Sequence, residues 1–194
     1  MTDDEILAEF RAADALLQGH FLLSSGRHSE YYLQCARVLM DTERAGRLAV
    51  ALAAKLPRDL RQAIDLVVSP AMGGVIIGHE MGRALGKPAI FVERPTGIFE
   101  LRRGFAIPAG AKVLMVEDVV TTGLSSREAM EAVRAAGGEV LAEAALVDRS
   151  AGSNIDLGVP FYPLVAINFP TYAADELPPE LAGTQAIKPG SRAN

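Results

Sequence analysis

Apolar residues occur in two patterns along this chain, short unbroken runs and longer stretches with a helical repeat. The unbroken runs are typical of buried strands and occur at 64–69, 88–93, 112–118, 139–149 and 162–167. The helical repeats, in which apolar residues recur every three or four positions, occur at 4–17, 41–56, 73–86 and 125–138. Because apolar strands alternate with helices, the pattern predicts an α/β fold whose central, mostly parallel sheet is flanked by helices on both faces.

The two ends of the chain do not follow this alternation. We predict a small N-terminal cap at 1–40, an α/β core at 41–170 and an irregular C-terminal tail at 171–194, which is rich in proline and small residues. Parallel sheets bind ligands beyond the carboxyl ends of their strands. The loops in which we expect a site are therefore 69–74, 93–104, 117–125 and 148–153.

Composition and charge narrow the class of protein. The chain is 49% hydrophobic, as is typical of a soluble globular domain, and no apolar run approaches the roughly 20 residues of a membrane span. The single cysteine, Cys35, excludes an intrachain disulfide and a cysteine-rich zinc site, and it fits a reducing compartment. The acidic start, MTDDEILAEF, is unlike a secretory signal or a transit peptide, so we expect a cytoplasmic protein. The net charge of −5 argues against nucleic-acid binding, although a local arginine cluster can still attract an anionic small molecule.

Candidate chemistry is concentrated at 113–138, where an apolar strand runs into Glu117 and Asp118 and a turn at 121–125 opens a helix. Hydroxyl residues and a glycine at a helix start leave backbone N–H groups that can bind a phosphate. The two carboxylates would repel that phosphate, but they can accept hydrogen bonds from the diol of a ribose beside it. The segment therefore predicts a site for a pentose 5-phosphate. The alternative is a helix start capped by Thr or Ser, with the acidic side chains in solvent.

The same segment has neither the lysine of GxxxxGK[ST] nor a GxGxxG motif. Its stretch VLMVEDVVTTG instead resembles the phosphoribosyl pyrophosphate (PRPP) signature of the type I phosphoribosyltransferases. Three further segments resemble the orotate phosphoribosyltransferase branch of that family: GHFLLSSGRHSEYY at 19–32, SPAMGGVIIG at 69–78 and IKPGSR at 187–192.

This resemblance implies a fold and a reaction. The fold is the type I phosphoribosyltransferase fold, with the N-terminal cap as its hood. The reaction converts orotate and PRPP to orotidine 5′-monophosphate and pyrophosphate in UMP synthesis. Mg²⁺ takes part, held mainly through PRPP and pyrophosphate, so no dedicated protein ligand to the metal is expected. The resemblance also implies a cytoplasmic homodimer with no nucleic-acid or membrane partner.

Carried over position by position, the resemblance implies roles for individual residues. Glu117 and Asp118 would bind the ribose hydroxyls, and the turn after them would bind the 5-phosphate. The full PRPP-binding set is Gly73, Gly74, Arg94, Glu117, Asp118, Val119, Val120, Thr121, Thr122, Gly123, Leu124 and Ser125. The orotate-binding set is Ser25, Gly26, Thr121 and Arg149, and the catalytic set is Asp118, Arg94 and Arg103. A planar guanidinium suits the orotate carboxylate, which favours Arg149 for this role; the alternative is a surface arginine after a strand.

The sequence departs from the family pattern in its lysines. Many members carry a mobile loop with an arginine, lysines and a histidine, whereas 93–105 retains Arg94 but offers only Arg102 and Arg103 as further bases. This stretch predicts a hairpin around Thr96-Gly97. Arginine neutralises a diphosphate but does not donate a proton at neutral pH, and the two later arginines could simply be solvated hairpin charges. Ser24 and Gly73 also occupy positions at which many relatives have lysine.

Two alternative functions remain open at this point. A purine phosphoribosyltransferase would keep the fold and change the base, although the segment SSGRHSEYY is similar to the orotate branch. A PRPP-sensing regulator without catalysis would fit the missing lysines. The negative net charge and the lack of a helix-turn-helix extension argue against the regulator.

Overall fold

A computed structural model of the protein describes residues 1–23, 25–150 and 155–188. Its helices are α1 (Asp3–Ala12), α2 (Cys35–Leu39), α3 (Thr42–Lys55), α4 (Arg58–Ala63), α5 (Gly74–Leu85) and α6 (Leu124–Ala135). Its strands are β1 (Leu16–Leu22), β2 (His28–Leu33), β3 (Leu66–Pro70), β4 (Ala89–Glu93), β5 (Glu100–Leu101), β6 (Lys112–Val120), β7 (Glu139–Asp148), β8 (Phe161–Ala166) and β9 (Thr171–Tyr172). In the described ranges, no helix has the length and apolar character needed to cross a membrane.

The central sheet has six strands in the order β5-β4-β3-β6-β7-β8. All neighbouring strands are parallel except β4 and β5, which are antiparallel. Strand β6 shows why the sheet is covered on both faces. Its Leu114 and Val116 belong to the apolar cluster that contains α3 and α5, whereas Val113 and Met115 belong to the cluster that contains α6. Successive side chains of a strand point to opposite faces of the sheet, so β6 packs against helices on both sides. The predicted α/β fold, with a mostly parallel sheet flanked by helices, is therefore confirmed.

The predicted helix at 4–17 ends earlier than the apolar repeat indicates. Helix α1 stops at Ala12, Asp14 adopts a positive φ of 47°, and Leu16 begins strand β1. Leu16 then pairs with Leu33 of β2. The prediction was wrong at this end because apolar residues at 16 and 17 fit a helical repeat and a strand equally well, and pairing with a distant strand decides between them.

Strands β1, β2 and β9 form a second, antiparallel sheet. Its third strand comes from the segment predicted to be irregular, and Ile187 forms a further bridge to Phe21. At the other end of the chain, Ile6 and Phe10 of α1 are fully buried in the same cluster as α3 and α5. The N-terminal helix thus packs on the core, and the small sheet joins the two ends of the chain. The division of the chain at 40 and 170 stays a prediction.

Candidate active site

A cavity of about 260 Å³ lies beyond the carboxyl ends of β3 and β6. Strand β6 carries Glu117 and Asp118 into it, and the turn that follows forms one wall. The residues that line it are Pro70, Ala71, Gly73, Phe99, Glu117, Asp118, Val119, Val120, Thr121, Thr122, Gly123, Leu124, Ser125 and Ser126. We call this the phosphate cavity. Ten of these residues are consecutive, from 117 to 126, so the predicted segment forms most of a single concave surface.

The two acidic residues of this cavity differ from solvated carboxylates. Glu117 is only 7% exposed, and burial raises its pKa to about 9, with the charges of Asp118 and Glu143 adding to the rise. Burial also raises the pKa of Asp118. Glu117 therefore carries a proton at neutral pH in the ligand-free protein. A neutral carboxyl group lowers the repulsion that an incoming phosphate would meet, and its oxygens still accept hydrogen bonds from hydroxyl groups.

The turn before α6 is shaped by Gly123, which is the N-cap of the helix and has a positive φ of 71°. A Cβ atom there would lie 2.5 Å from the Leu157 side chain, so the site needs glycine for both conformation and space. Gly123 supplies no side-chain cap, and the Thr122 hydroxyl accepts from the Leu124 N–H at 3.4 Å. Within the described ranges, the hydroxyls of Thr121 and Ser125 make no hydrogen bond to the protein. Two of the hydroxyls in this turn are therefore available to a ligand.

On the opposite wall, α5 begins at two glycines. Gly73 lines the cavity and faces the carboxylate of Asp118. Gly74 packs so tightly that a Cβ atom there would lie 2.9 Å from the carbonyl oxygen of Val116. The helix start is thereby held against β6, beside the acidic pair.

A second cavity, of about 340 Å³, adjoins the first and shares Val119 and Thr121 with it. We call it the base cavity. It is lined by Leu22, Leu23, Ser25, Tyr32, Leu33, Val119, Thr121, Arg149 and Lys188. Apolar walls, one aromatic ring and cationic side chains suit a planar anionic molecule.

Of the predicted orotate-binding residues, Ser25, Thr121 and Arg149 line the base cavity. The backbone N–H of Arg149 donates to the carbonyl oxygen of Val120 at 2.8 Å, which holds the arginine beside the end of β6. Gly26 lies in the turn between β1 and β2, where its N–H donates to the Leu23 carbonyl oxygen at 2.9 Å, and it is not among the lining residues. Its role in binding stays a prediction.

The arginines predicted to act on the diphosphate lie outside both cavities. Arg94 forms an ion pair with Glu128 of α6, and its Cζ lies 4.1 Å from the centre of the Phe99 ring, which lines the phosphate cavity. Arg103 donates to both carboxylate oxygens of Glu93, at 3.0 and 2.8 Å. Their roles stay predictions, but the predicted hairpin is confirmed, because β4 and β5 pair around 94–99.

Some contributors to the site escaped the sequence analysis. Phe99 was treated only as part of the hairpin, although it lines the phosphate cavity. Tyr32 belongs to the cap motif, for which packing over the base and packing in the core were both open, and it lines the base cavity. Lys188 belongs to the IKPGSR segment, of which residues 187 and 188 lie within the described ranges and 189–192 lie outside them, as does Ser24. The motif was a signal for Lys188, but its place in the base cavity depends on pairing between the two ends of the chain.

Residues 39–157 match the sequence family described as the phosphoribosyl transferase domain. An orotate phosphoribosyltransferase of Sphingopyxis alaskensis is 95% identical over 192 residues, which are 99% of this chain and 98% of the relative. One of Caulobacter vibrioides is 54% identical over 192 residues, with the same shares covered.

Solved structures give the same pattern. The orotate phosphoribosyltransferase from Aeropyrum pernix superposes with a TM-score of 0.69 at 29% identity, covering 84% of this chain and 93% of the other. The enzyme from Mycobacterium tuberculosis in complex with inorganic phosphate superposes with a TM-score of 0.64 at 26% identity, covering 85% and 96%. Adenine phosphoribosyltransferases are similar at 21% identity, which shows the shared fold alone.

Proposed function

The chain belongs to the phosphoribosyltransferase family and, within it, to the orotate phosphoribosyltransferases, and from this membership we propose how its residues divide the reaction. The enzyme is a pentosyltransferase that transfers the 5-phosphoribosyl group from PRPP to orotate, giving orotidine 5′-monophosphate and pyrophosphate in UMP synthesis. Neither alternative is favoured, because full-length relatives at 54–95% identity are orotate phosphoribosyltransferases.

One observation supports the assignment of residues above all others: the two cavities meet at Val119 and Thr121. The phosphate cavity holds the acidic pair and the turn at 121–125, and the base cavity holds Arg149. A ribosyl group bound by its diol and its 5-phosphate in the first cavity would present its C1 atom toward the second. The shared rim is thus the place where the base and the sugar would meet.

We assign the ribose and the 5-phosphate to β6 and the turn after it. Glu117 and Asp118 accept hydrogen bonds from the 2- and 3-hydroxyls, and residues 119–125 surround the phosphate with backbone N–H groups and hydroxyls. The hydroxyls of Thr121 and Ser125 are available for this because the protein uses neither within the described ranges. The phosphate would also lie at the positive end of the α6 dipole.

Gly73 and Gly74, at the start of α5, are assigned to the diphosphate. The family's use of Mg²⁺ fits the lining of the phosphate cavity, since Glu117 and Asp118 are the carboxylates among its described residues. Mg²⁺ would be held mainly through the oxygens of PRPP and pyrophosphate, beside Asp118, so no dedicated protein ligand is assigned. When bound, Mg²⁺ supplies charge neutralisation of the leaving diphosphate.

The base cavity is assigned to orotate. Arg149 donates two parallel hydrogen bonds to the planar carboxylate, and Tyr32, Ser25 and Thr121 surround the ring.

Departure of pyrophosphate leaves an oxocarbenium-like ribosyl centre at the shared rim. This step is costly mainly because negative charge develops on the leaving diphosphate. Arg94 is assigned to neutralise that charge, because it lies over the Phe99 ring, which lines the phosphate cavity. Arg103 is assigned as a second source of positive charge.

The enzyme is further proposed to be a cytoplasmic homodimer. Met72, Ile76 and Ile98 are 83%, 44% and 75% exposed, which is unusual for large apolar side chains beside a cleft. A second subunit covering this surface would remove them from water.

Turnover with defined substrates tests the function. The purified protein is mixed with orotate, PRPP and Mg²⁺, and the orotate absorbance is followed together with the release of pyrophosphate. Consumption of orotate with equimolar pyrophosphate is expected. Consumption of adenine, hypoxanthine or uracil in place of orotate rejects the base, and binding of PRPP without pyrophosphate release favours the regulator.

A further inference from the structure

The C-terminal segment is fixed to the small sheet at two points. Ile187 donates its N–H to the His20 carbonyl oxygen at 2.8 Å and accepts at 2.8 Å from the N–H of Leu22. Three residues earlier, the Thr184 hydroxyl lies 2.8 Å from Nδ1 of the buried His20 ring and donates to the Leu181 carbonyl oxygen at 2.8 Å. Since that hydroxyl hydrogen is used, His20 Nδ1–H is the donor to Thr184. These bonds set the position of the residue that follows Ile187.

That residue, Lys188, lines the base cavity together with Arg149. The two are the cations among the described residues of its lining. Arg27, the basic residue of the segment 19–32, points elsewhere, because its guanidinium donates to the side chain and the carbonyl oxygen of Thr171 at 2.8 and 2.6 Å. The second positive charge at the base cavity therefore comes from the far end of the chain.

We propose that Lys188 is a specificity-determining residue that binds the anionic base, a role that rests on the function proposed above for the base cavity. Arg149 matches the plane of the carboxylate with its fixed fork of donors, and the ammonium group of Lys188 adds a point charge with three rotatable donors. Leu22, Leu23 and Leu33 form an apolar part of the lining, and apolar surroundings strengthen the attraction between these cations and a negative ligand. Two cations in such a cavity discriminate orotate from uracil, which lacks the carboxylate.

Steady-state kinetics of Lys188→Met, Lys188→Arg and Lys112→Met test the proposal. Lys112 is a matched control, because it is an exposed lysine at the other end of the strand that carries Glu117. For Lys188→Met we expect a rise of about tenfold or more in KM for orotate, with KM for PRPP changed less than about twofold. Lys188→Arg should restore KM for orotate to within about threefold of the wild type, and Lys112→Met should match the wild type.

These outcomes distinguish a failure of the proposal for Lys188 from a failure of the proposed function. If the wild type consumes orotate but Lys188→Met keeps its KM for orotate, the inference is wrong and the function stands. Equal rises in both KM values, or a lowered thermal midpoint that Lys188→Arg does not restore, also overturn it, because they indicate a structural role. If the wild type consumes no orotate, the proposed function itself fails.

Discussion

Gly73 faces Asp118 so closely that a Cβ atom on the glycine would lie 2.6 Å from Oδ1 of the carboxylate. Real Cβ atoms do not approach an oxygen atom so closely, so any side chain at position 73 must displace either the α5 start or the aspartate. The absence of a lysine there, at a position where many relatives have one, is thus tied to the position of the carboxylate that we propose binds the ribose.

Gly73→Ala should therefore lower turnover more than it lowers stability. We expect a loss of at least about tenfold in kcat/KM for PRPP, because even a small displacement of Asp118 misplaces the sugar. Steady-state kinetics and a thermal melt measure the two effects. The control is Gly19→Ala, whose Cβ would meet only the Phe21 ring at 3.3 Å, a side chain that can shift. Comparable kinetics for the two variants would contradict the proposed contact.

Replacing Glu117 and Asp118 by the corresponding amides should affect PRPP binding and turnover unequally. Glu117, with a pKa of about 9, is already neutral at pH 7 in the free protein, so Glu117→Gln preserves both its charge and its shape. We expect PRPP affinity within about threefold of the wild type for this variant and a loss of at least about a hundredfold in turnover for Asp118→Asn. Calorimetric titration with PRPP and Mg²⁺, together with turnover at pH 7, measures both. Similar losses in the two variants would show that both residues act as carboxylates.

Glu143 lies on β7, fully buried, and neither of its carboxylate oxygens has a hydrogen-bond partner in the described part of the chain. Burial raises its pKa to about 7, and the positive charge of Arg127 limits the rise. Since the folded-state pKa exceeds the ordinary value of 4.5, the protonated group favours folding below pH 4.5, and that stability is lost as the pH rises to 7.

Glu143→Gln should remove this pH dependence. Relative to the wild type, the variant should gain about 3 kcal/mol in free energy of unfolding between pH 4.5 and pH 8, because one pKa unit corresponds to about 1.4 kcal/mol. Denaturant unfolding at several pH values measures the difference. Glu139→Gln is the control, because it removes a carboxylate at the exposed start of the same strand. A flat difference for Glu143→Gln would mean that the buried group is not the one that titrates.

Local sequence could predict those parts of the site whose residues are consecutive in the chain. The course of β6 into Glu117 and Asp118, and then into the turn at 121–125, depends on neighbouring residues, and it was predicted correctly in position. Lys188 and the strand at 171–172 depend on pairing between the two ends of the chain, which no local pattern records. Glu143 interrupts an otherwise apolar strand, and only the packing of β7 shows that its side chain is buried.

Arg94 presents a choice between two roles that a pair of variants can separate. It pairs with Glu128 on α6 and lies over Phe99, so it could either fasten the hairpin to the helix or supply positive charge to the leaving diphosphate. If its charge acts on the diphosphate, Arg94→Ala should lower kcat at least about tenfold, because charge neutralisation of a leaving group is worth that much or more. Rapid-mix measurement of pyrophosphate release determines this value.

Glu128→Gln completes the test, because it breaks the ion pair and leaves the arginine in place. Under the catalytic role, this variant should keep kcat within about threefold of the wild type, since the released guanidinium remains beside the phosphate cavity. Under a purely structural role, both variants lose the same ion pair and should lose activity and thermal stability together. Arg94→Ala with normal turnover would remove Arg94 from the mechanism and leave Arg103 as the hairpin residue to examine.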